Sequence, residues 1–276
     1  MNENNNNYDS YNYATYNYGN YNDPTSIQLS QYKSLLGVCI GWLGLSVVAS
    51  IVSFIVGAIV GDITLLEDIE IIKINGYINV ISYGIILISL VAVLGLPIIK
   101  QILKQFTDIN KLGKGIMYGG ILLGTSILYN MIVLIFYPDF GSNQNQNSVL
   151  TMITNMPVLS FLCVVLFAPI TEEITYRLCL TGMLRKKSKI FAITVSSLLF
   201  GLIHSAFLNL NFIGMTEQEL IDELIALPSY IISGVVMALA YTNEDSIATS
   251  IIAHMTNNFI AFIQAFIPVE ELFRAL

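Results

Sequence analysis

From Ser34 onward, apolar residues run in blocks too long for the alternation of a half-buried strand and too uniform for the one-sided stripe of a surface helix. At about 1.5 Å per residue, some 20 such residues cross a hydrocarbon core about 30 Å thick. Seven blocks approach or reach that length, at about 35–60, 77–99, 116–136, 156–184, 190–208, 226–241 and 246–268. The expected fold is all-α, a polytopic membrane bundle of about seven transmembrane helices, or eight. The sixth block is short, and the fourth is long and interrupted by Pro169 and two glutamates.

Polar residues break three of these blocks in a restricted way. Glu172, Glu173 and Arg177 lie in the fourth, His204 in the fifth, and His254 and Asn258 in the seventh. On insertion scales a charged side chain at the centre of a bilayer costs roughly 2.5–3.5 kcal/mol, so such groups mark a site or a buried pair. The N-terminal 22 residues differ in kind: nine Asn and six Tyr leave nothing aliphatic to bury. The chain therefore divides into a disordered cytosolic tail at 1–33, N-terminal membrane helices at 34–153, a polar-containing membrane core at 154–268 and a C-terminal tail at 269–276.

Composition agrees with a membrane protein, with 55% hydrophobic and 11% charged residues. The net charge of -7 leaves no basic stripe for nucleic acid, which is excluded as a partner. Cys39, Cys163 and Cys179 lie in apolar runs without metal-binding spacing and read as small hydrophobes. The basic residues instead set orientation. Lys33, Lys100, Lys104, Lys111, Lys114, Arg185, Lys186, Lys187 and Lys189 flank the spans on one side, and only Lys73 and Arg274 fall on the other. The positive-inside rule then places the N-terminus in the cytosol of an integral membrane protein. Few arginines and an Asn- and Ile-rich composition favour a bacterial plasma membrane.

Counting from the basic ends of the spans puts Glu172 about 18 Å deep, His204 about 21 Å, His254 about 12 Å and Asn258 about 18 Å. Three helices thus bring their polar groups to similar depth. Glu173 and Arg177, four residues apart, are spaced for an ion pair on one helix face, which leaves Glu172 to a cavity. His204 and His254 are suited to act as bases, proton donors or metal ligands, and Asn258 offers an amide to a developing oxyanion. Thr171, Thr175, Ser205 and Asn257 read as helix-bonding polar residues. Other intramembrane hydrolases fit less well: neither histidine belongs to HExxH, Ser233 lacks the GxSG setting, and no aspartate lies mid-span. Proton-coupled transport lacks paired broken helices.

The ordered set EExxxR at Glu172–Arg177, FxxxH at Phe200–His204 and HxxxN at His254–Asn258 resembles the CAAX prenyl protease type II and bacteriocin-processing family, also called Abi or CPBP. The resemblance implies an intramembrane endopeptidase opening to the cytosol, with 154–268 as the catalytic core. It makes Glu172 and His204 the pair that activates water, His254 and Asn258 the oxyanion holders, and Glu173 and Arg177 their support. It also leaves the cofactor as none or Zn, with Glu172, His204 and His254 the metal ligands and Asn258 a weak fourth. The implied partners are the lipid bilayer and a membrane-embedded or lipid-anchored peptide or protein substrate, of CAAX type or from bacteriocin or surface-protein processing. The competing reading is a non-enzymatic bacteriocin self-immunity or scaffold protein.

Overall fold

The computed structural model describes residues 26–61, 66–207 and 212–267. Most of the N-terminal tail and all of the C-terminal tail lie outside the described residues. Among the described residues the fold is all-helical. The elements are α1 (Gln31–Val60), α2 (Asp68–Leu94), α3 (Leu96–Gln105), α4 (Ile109–Phe136), α5 (Gln144–Asn155), α6 (Pro157–Leu184), α7 (Lys189–Ile203), α8 (Glu217–Glu244) and α9 (Ile247–Gln264). Helix α1 starts inside the segment assigned to the tail, and Ile27 and Leu29 before it are buried against the core.

Five helices, α1, α2, α4, α6 and α8, are long and apolar enough to cross a membrane. The other two blocks of the seven became α7, with 15 residues, and α9, whose 18 residues include His254, Asn257 and Asn258. Helices α3 and α5 were not expected. The turn at Gly95, with φ of +80°, ends α2 and starts α3. Lys33 steadies that turn by donating from Nζ to the Leu94 carbonyl at 2.7 Å. Helix α3 buries Ile102 and Gln105 and exposes Lys100 and Leu103, as a helix lying along an interface does. Helix α8 begins at Glu217, so the acidic residues 217–223 are helical, with Thr216 and Glu219 forming a reciprocal cap.

The bundle has an apolar core that encloses a few buried polar groups, and its outer surface is apolar too. Leu43, Val47, Phe54 and Ile59 on α1, and Ile116, Ile127, Ile135 and Phe136 on α4, are exposed. A surface of that size belongs in lipid. Helix α6 lies at the centre, packed against α1, α2, α7, α8 and α9. Close approach is set by small residues. A side chain at Gly41 would meet Thr175 Oγ1 at 1.8 Å, and one at Gly37 would meet Cys179 Sγ at 2.5 Å, so α1 rides directly on α6. Helix α4 meets α9 in the same way, with Gly115 over Ile252 and Gly119 over Thr256.

The basic residues gather at one end of this bundle. Lys114 pairs with Glu244, Arg185 bonds Asp245 at 2.6 Å, and Lys189 bonds Asn243 at 2.7 Å, around the tight turn between α8 and α9. Gln105 accepts from the amides of Ile247 and Ala248, at 2.9 and 3.3 Å, and so fixes the start of α9. Helices α6, α7 and α9 are thereby registered against one another from the basic end.

Candidate active site

Helix α6 does not run as a regular α-helix. Residues Phe161–Phe167 and Ile174–Thr181 are π-helical, and the α-helical segment Ala168–Glu173 between them carries Pro169 and both glutamates. Proline donates no backbone N–H, and widened turns leave carbonyls without their usual partners. Side chains of α6, α7 and α9 occupy those carbonyls. Asn258 Nδ2 donates to the Val164 carbonyl at 2.9 Å, while Thr181 Oγ1 and Ser196 Oγ both donate to the Tyr176 carbonyl, at 2.8 and 3.0 Å. The irregular backbone thus ties α7 and α9 to α6 at the level of the glutamates.

Glu173 and Arg177 are fully buried, with Arg177 Nε 3.1 Å from Glu173 Oε2. Arg177 also donates to Ser196 Oγ at 3.2 Å, and its guanidinium carbon lies 4.7 Å from the centroid of the Phe200 ring. The Nε–Glu173 contact is within ion-pair range but lies off the hydrogen-bond axis. Glu173 accepts from Ser250 Oγ and, at 3.0 Å, from His254 Nδ1. A carboxylate only accepts, so His254 Nδ1 carries the proton and Nε2 is directed away from Glu173.

His204 is held in a parallel way. Its Nδ1 donates to the Phe200 carbonyl at 2.7 Å, which leaves Nε2 as an acceptor in the neutral ring. The ring stacks on Tyr230 at 4.9 Å between centroids. His204 caps the C-terminal end of α7, where the sequence placed it inside a longer helix. Both Nε2 atoms approach Glu172 Oε2, His204 at 3.8 Å and His254 at 3.9 Å. Glu172 Oε1 accepts from Tyr83 on α2 at 3.1 Å, while Oε2 is buried and makes no hydrogen bond among the described residues.

The structure brings Glu172, Glu173, Arg177, His204 and His254 into one cluster. Asn258 sits one turn beyond His254, bonded to Val164 and accepting from Asn257 at 3.2 Å. Thr171, Thr175 and Ser205 bond carbonyls of their own helices, as expected of helix-bonding hydroxyls. Reading the sequence missed Tyr83, Ser250 and Tyr230. The signal for Ser250 was its position four residues before His254; an isolated Tyr in an apolar span carries little signal.

Glu172 Oε2 and two imidazole Nε2 atoms are suitable donor types for zinc. Gaps of 3.8 and 3.9 Å separate the carboxylate from the rings. Ligands about 2.1 Å from a tetrahedral ion stand only roughly 3.4 Å apart. Among the described residues no group of three or more His, Cys, Asp or Glu is placed to hold a metal ion. As arranged, the trio stands wider than the ligands of a closed zinc site and does not fit one.

A cavity of about 660 Å³ lies between the first half of α2, the start of α5 and the start of α8. It borders the layer formed by His204 and Tyr230, because Asn143 on its wall donates to the His204 carbonyl at 3.3 Å and accepts from Tyr230 Oη at 3.2 Å. This cavity is at the end of the bundle opposite the basic cluster. The cytosolic opening implied by the sequence resemblance would place it at the basic end.

Residues 154–260 match the family model described as type II CAAX prenyl endopeptidase Rce1-like. That segment contains the three motifs and helices α6 to α8 with most of α9. No curated protein and no solved structure matched the chain.

Proposed function

We propose, from the family likeness of residues 154–260 and the geometry around Glu172, that this protein is an intramembrane endopeptidase using a glutamate-activated water. The observation that carries this reading is the buried, unbonded Oε2 of Glu172, 3.8 and 3.9 Å from two imidazole nitrogens. A buried carboxylate oxygen without a donor is costly, and a water between these groups would satisfy it.

In this reading His204 Nε2 and Glu172 Oε2 orient the water. Glu172 removes one proton as the remaining hydroxide bonds to the substrate carbonyl carbon. The oxyanion that forms is met by the His254 ring, with Nδ1 anchored on Glu173, and by the Asn258 amide. Collapse of the intermediate breaks the C–N bond, and the proton held by Glu172 passes to the leaving nitrogen. Arg177 holds Glu173 in place. The substrate is a membrane-embedded or lipid-anchored peptide or protein, as in CAAX or bacteriocin and surface-protein processing.

The test is cleavage of a membrane-delivered peptide library by the purified protein and by Glu172→Gln. Equal cleavage by both would overturn the role of Glu172. Elemental analysis, with activity measured before and after chelation, checks the water mechanism: retained activity in metal-free protein is expected, and loss restored by added zinc would overturn it.

A further inference from the structure

The cavity beside the active cluster has an unusual lining. Asn75 and Asn79 of α2 face Asn143 and Asn147 across it. The Asn75 and Asn79 amides are exposed on the cleft wall and offer donors and acceptors complementary to a peptide backbone, whereas those of Asn143 and Asn147 are bonded within the protein. The carboxylates of Glu219 and Glu223 in the lining are held by neutral donors and keep their negative charge, which disfavours an acidic ligand. Glu223 accepts from the amides of Gln144 and Ala206, at 2.8 and 3.0 Å, and Glu219 accepts from Thr216 at 2.7 Å.

Both walls lead to the catalytic groups. Asn75, Asn79 and Tyr83 are spaced by four residues on α2, so they form a row rising about 6 Å per turn. That row ends at the Tyr83 hydroxyl, which bonds Glu172. On the other wall, Asn143 bonds both the His204 carbonyl and the Tyr230 hydroxyl. A chain lying in the cleft is therefore led towards Glu172 and His204. The cleft lies away from the basic end, which the positive-inside rule assigns to the cytosol.

Building on the hydrolytic reading above, we infer that this cleft binds the substrate as an extended, non-acidic peptide segment presented from the non-cytosolic face. Side-chain amides would pair with the peptide backbone as a strand edge does and guide the scissile bond to Glu172.

The test uses Asn79→Cys, at an exposed cleft position, and Lys187→Cys, at the exposed basic end, with the wild-type chain as background for its own cysteines. In intact cells a membrane-impermeant maleimide is expected to label Asn79→Cys and to reach Lys187→Cys only after permeabilisation. The reverse pattern would overturn the assigned face. The purified double variant Glu172→Gln, Asn79→Cys is then labelled with and without a pool of lipid-anchored synthetic peptides of uncharged sequence. Peptide at about ten times its Kd is expected to slow labelling about tenfold, and unchanged labelling would overturn the cleft as the binding site. Protection without hydrolysis by the wild-type protein would sink the hydrolytic reading alone.

Discussion

At the scale of the residue, Glu172 and Glu173 are neighbours in sequence with different environments. Glu173 is surrounded by Arg177, Ser250 and His254, whereas Glu172 has one donor, Tyr83, and one unbonded oxygen. Glu172→Gln preserves shape and the Tyr83 bond, so the variant should fold normally while kcat falls by roughly 10²–10⁴. Tyr83→Phe removes only the orienting bond, and kcat should fall about tenfold with KM unchanged, since such a bond is worth on the order of 1 kcal/mol. Steady-state kinetics on a cleaved library peptide separates the two. Arg177→Met leaves a buried carboxylate uncompensated and should destabilise the protein by about 3–5 kcal/mol, read by thermal unfolding in detergent. The double variant Arg177→Met, Glu173→Gln should recover part of that loss, and an equal loss would show that packing against Phe200 dominates. The pairing of Glu173 with Arg177 was legible from their spacing of four. Tyr83 was not, because an aromatic residue in an apolar span reads equally well as lipid-facing.

At the scale of the element, the chain holds more pairs of glycines at a spacing of four than it uses for contacts. Gly37 and Gly41 seat α1 on α6, but Gly57, Gly61, Gly120 and Gly124 have nothing within 4 Å of where a side chain would begin. The pair that joins α4 to α9 is Gly115 and Gly119. A spacing of four is necessary for close approach, and only the partner helix decides which pair is used. Gly41→Leu should therefore prevent stable folding, whereas Gly57→Leu should be tolerated, as fluorescence-detected size-exclusion chromatography would show. The same limit explains helix ends. Hydropathy located α6 within a residue at its start but extended the fifth span past His204, because the apolar run outlasts the hydrogen-bonded helix. Nothing in the sequence marked the π-helical turns, since carbonyl partners on α7 and α9 come from distant parts of the chain.

At the scale of the whole molecule, the apolar outer surface was readable from composition, and convergence of α6, α7 and α9 followed from counting depth. Which end holds the cavity was not readable, because its walls come from α2, α5 and α8, far apart in sequence. Helix α7, with its 15 residues, is about 22 Å long at 1.5 Å per residue, against a hydrocarbon core of about 30 Å. The bilayer beside His204 must therefore deform to meet the protein, at a cost of fractions of a kcal/mol per Å of mismatch. Lipids of shorter acyl length remove that cost. Turnover in vesicles should accordingly rise as acyl chains shorten from eighteen to fourteen carbons, a change of roughly a few Å in thickness. Equal turnover across the series would show that α7 is matched by neighbouring helices, and a rise would make membrane thickness itself a regulator of where this protein works.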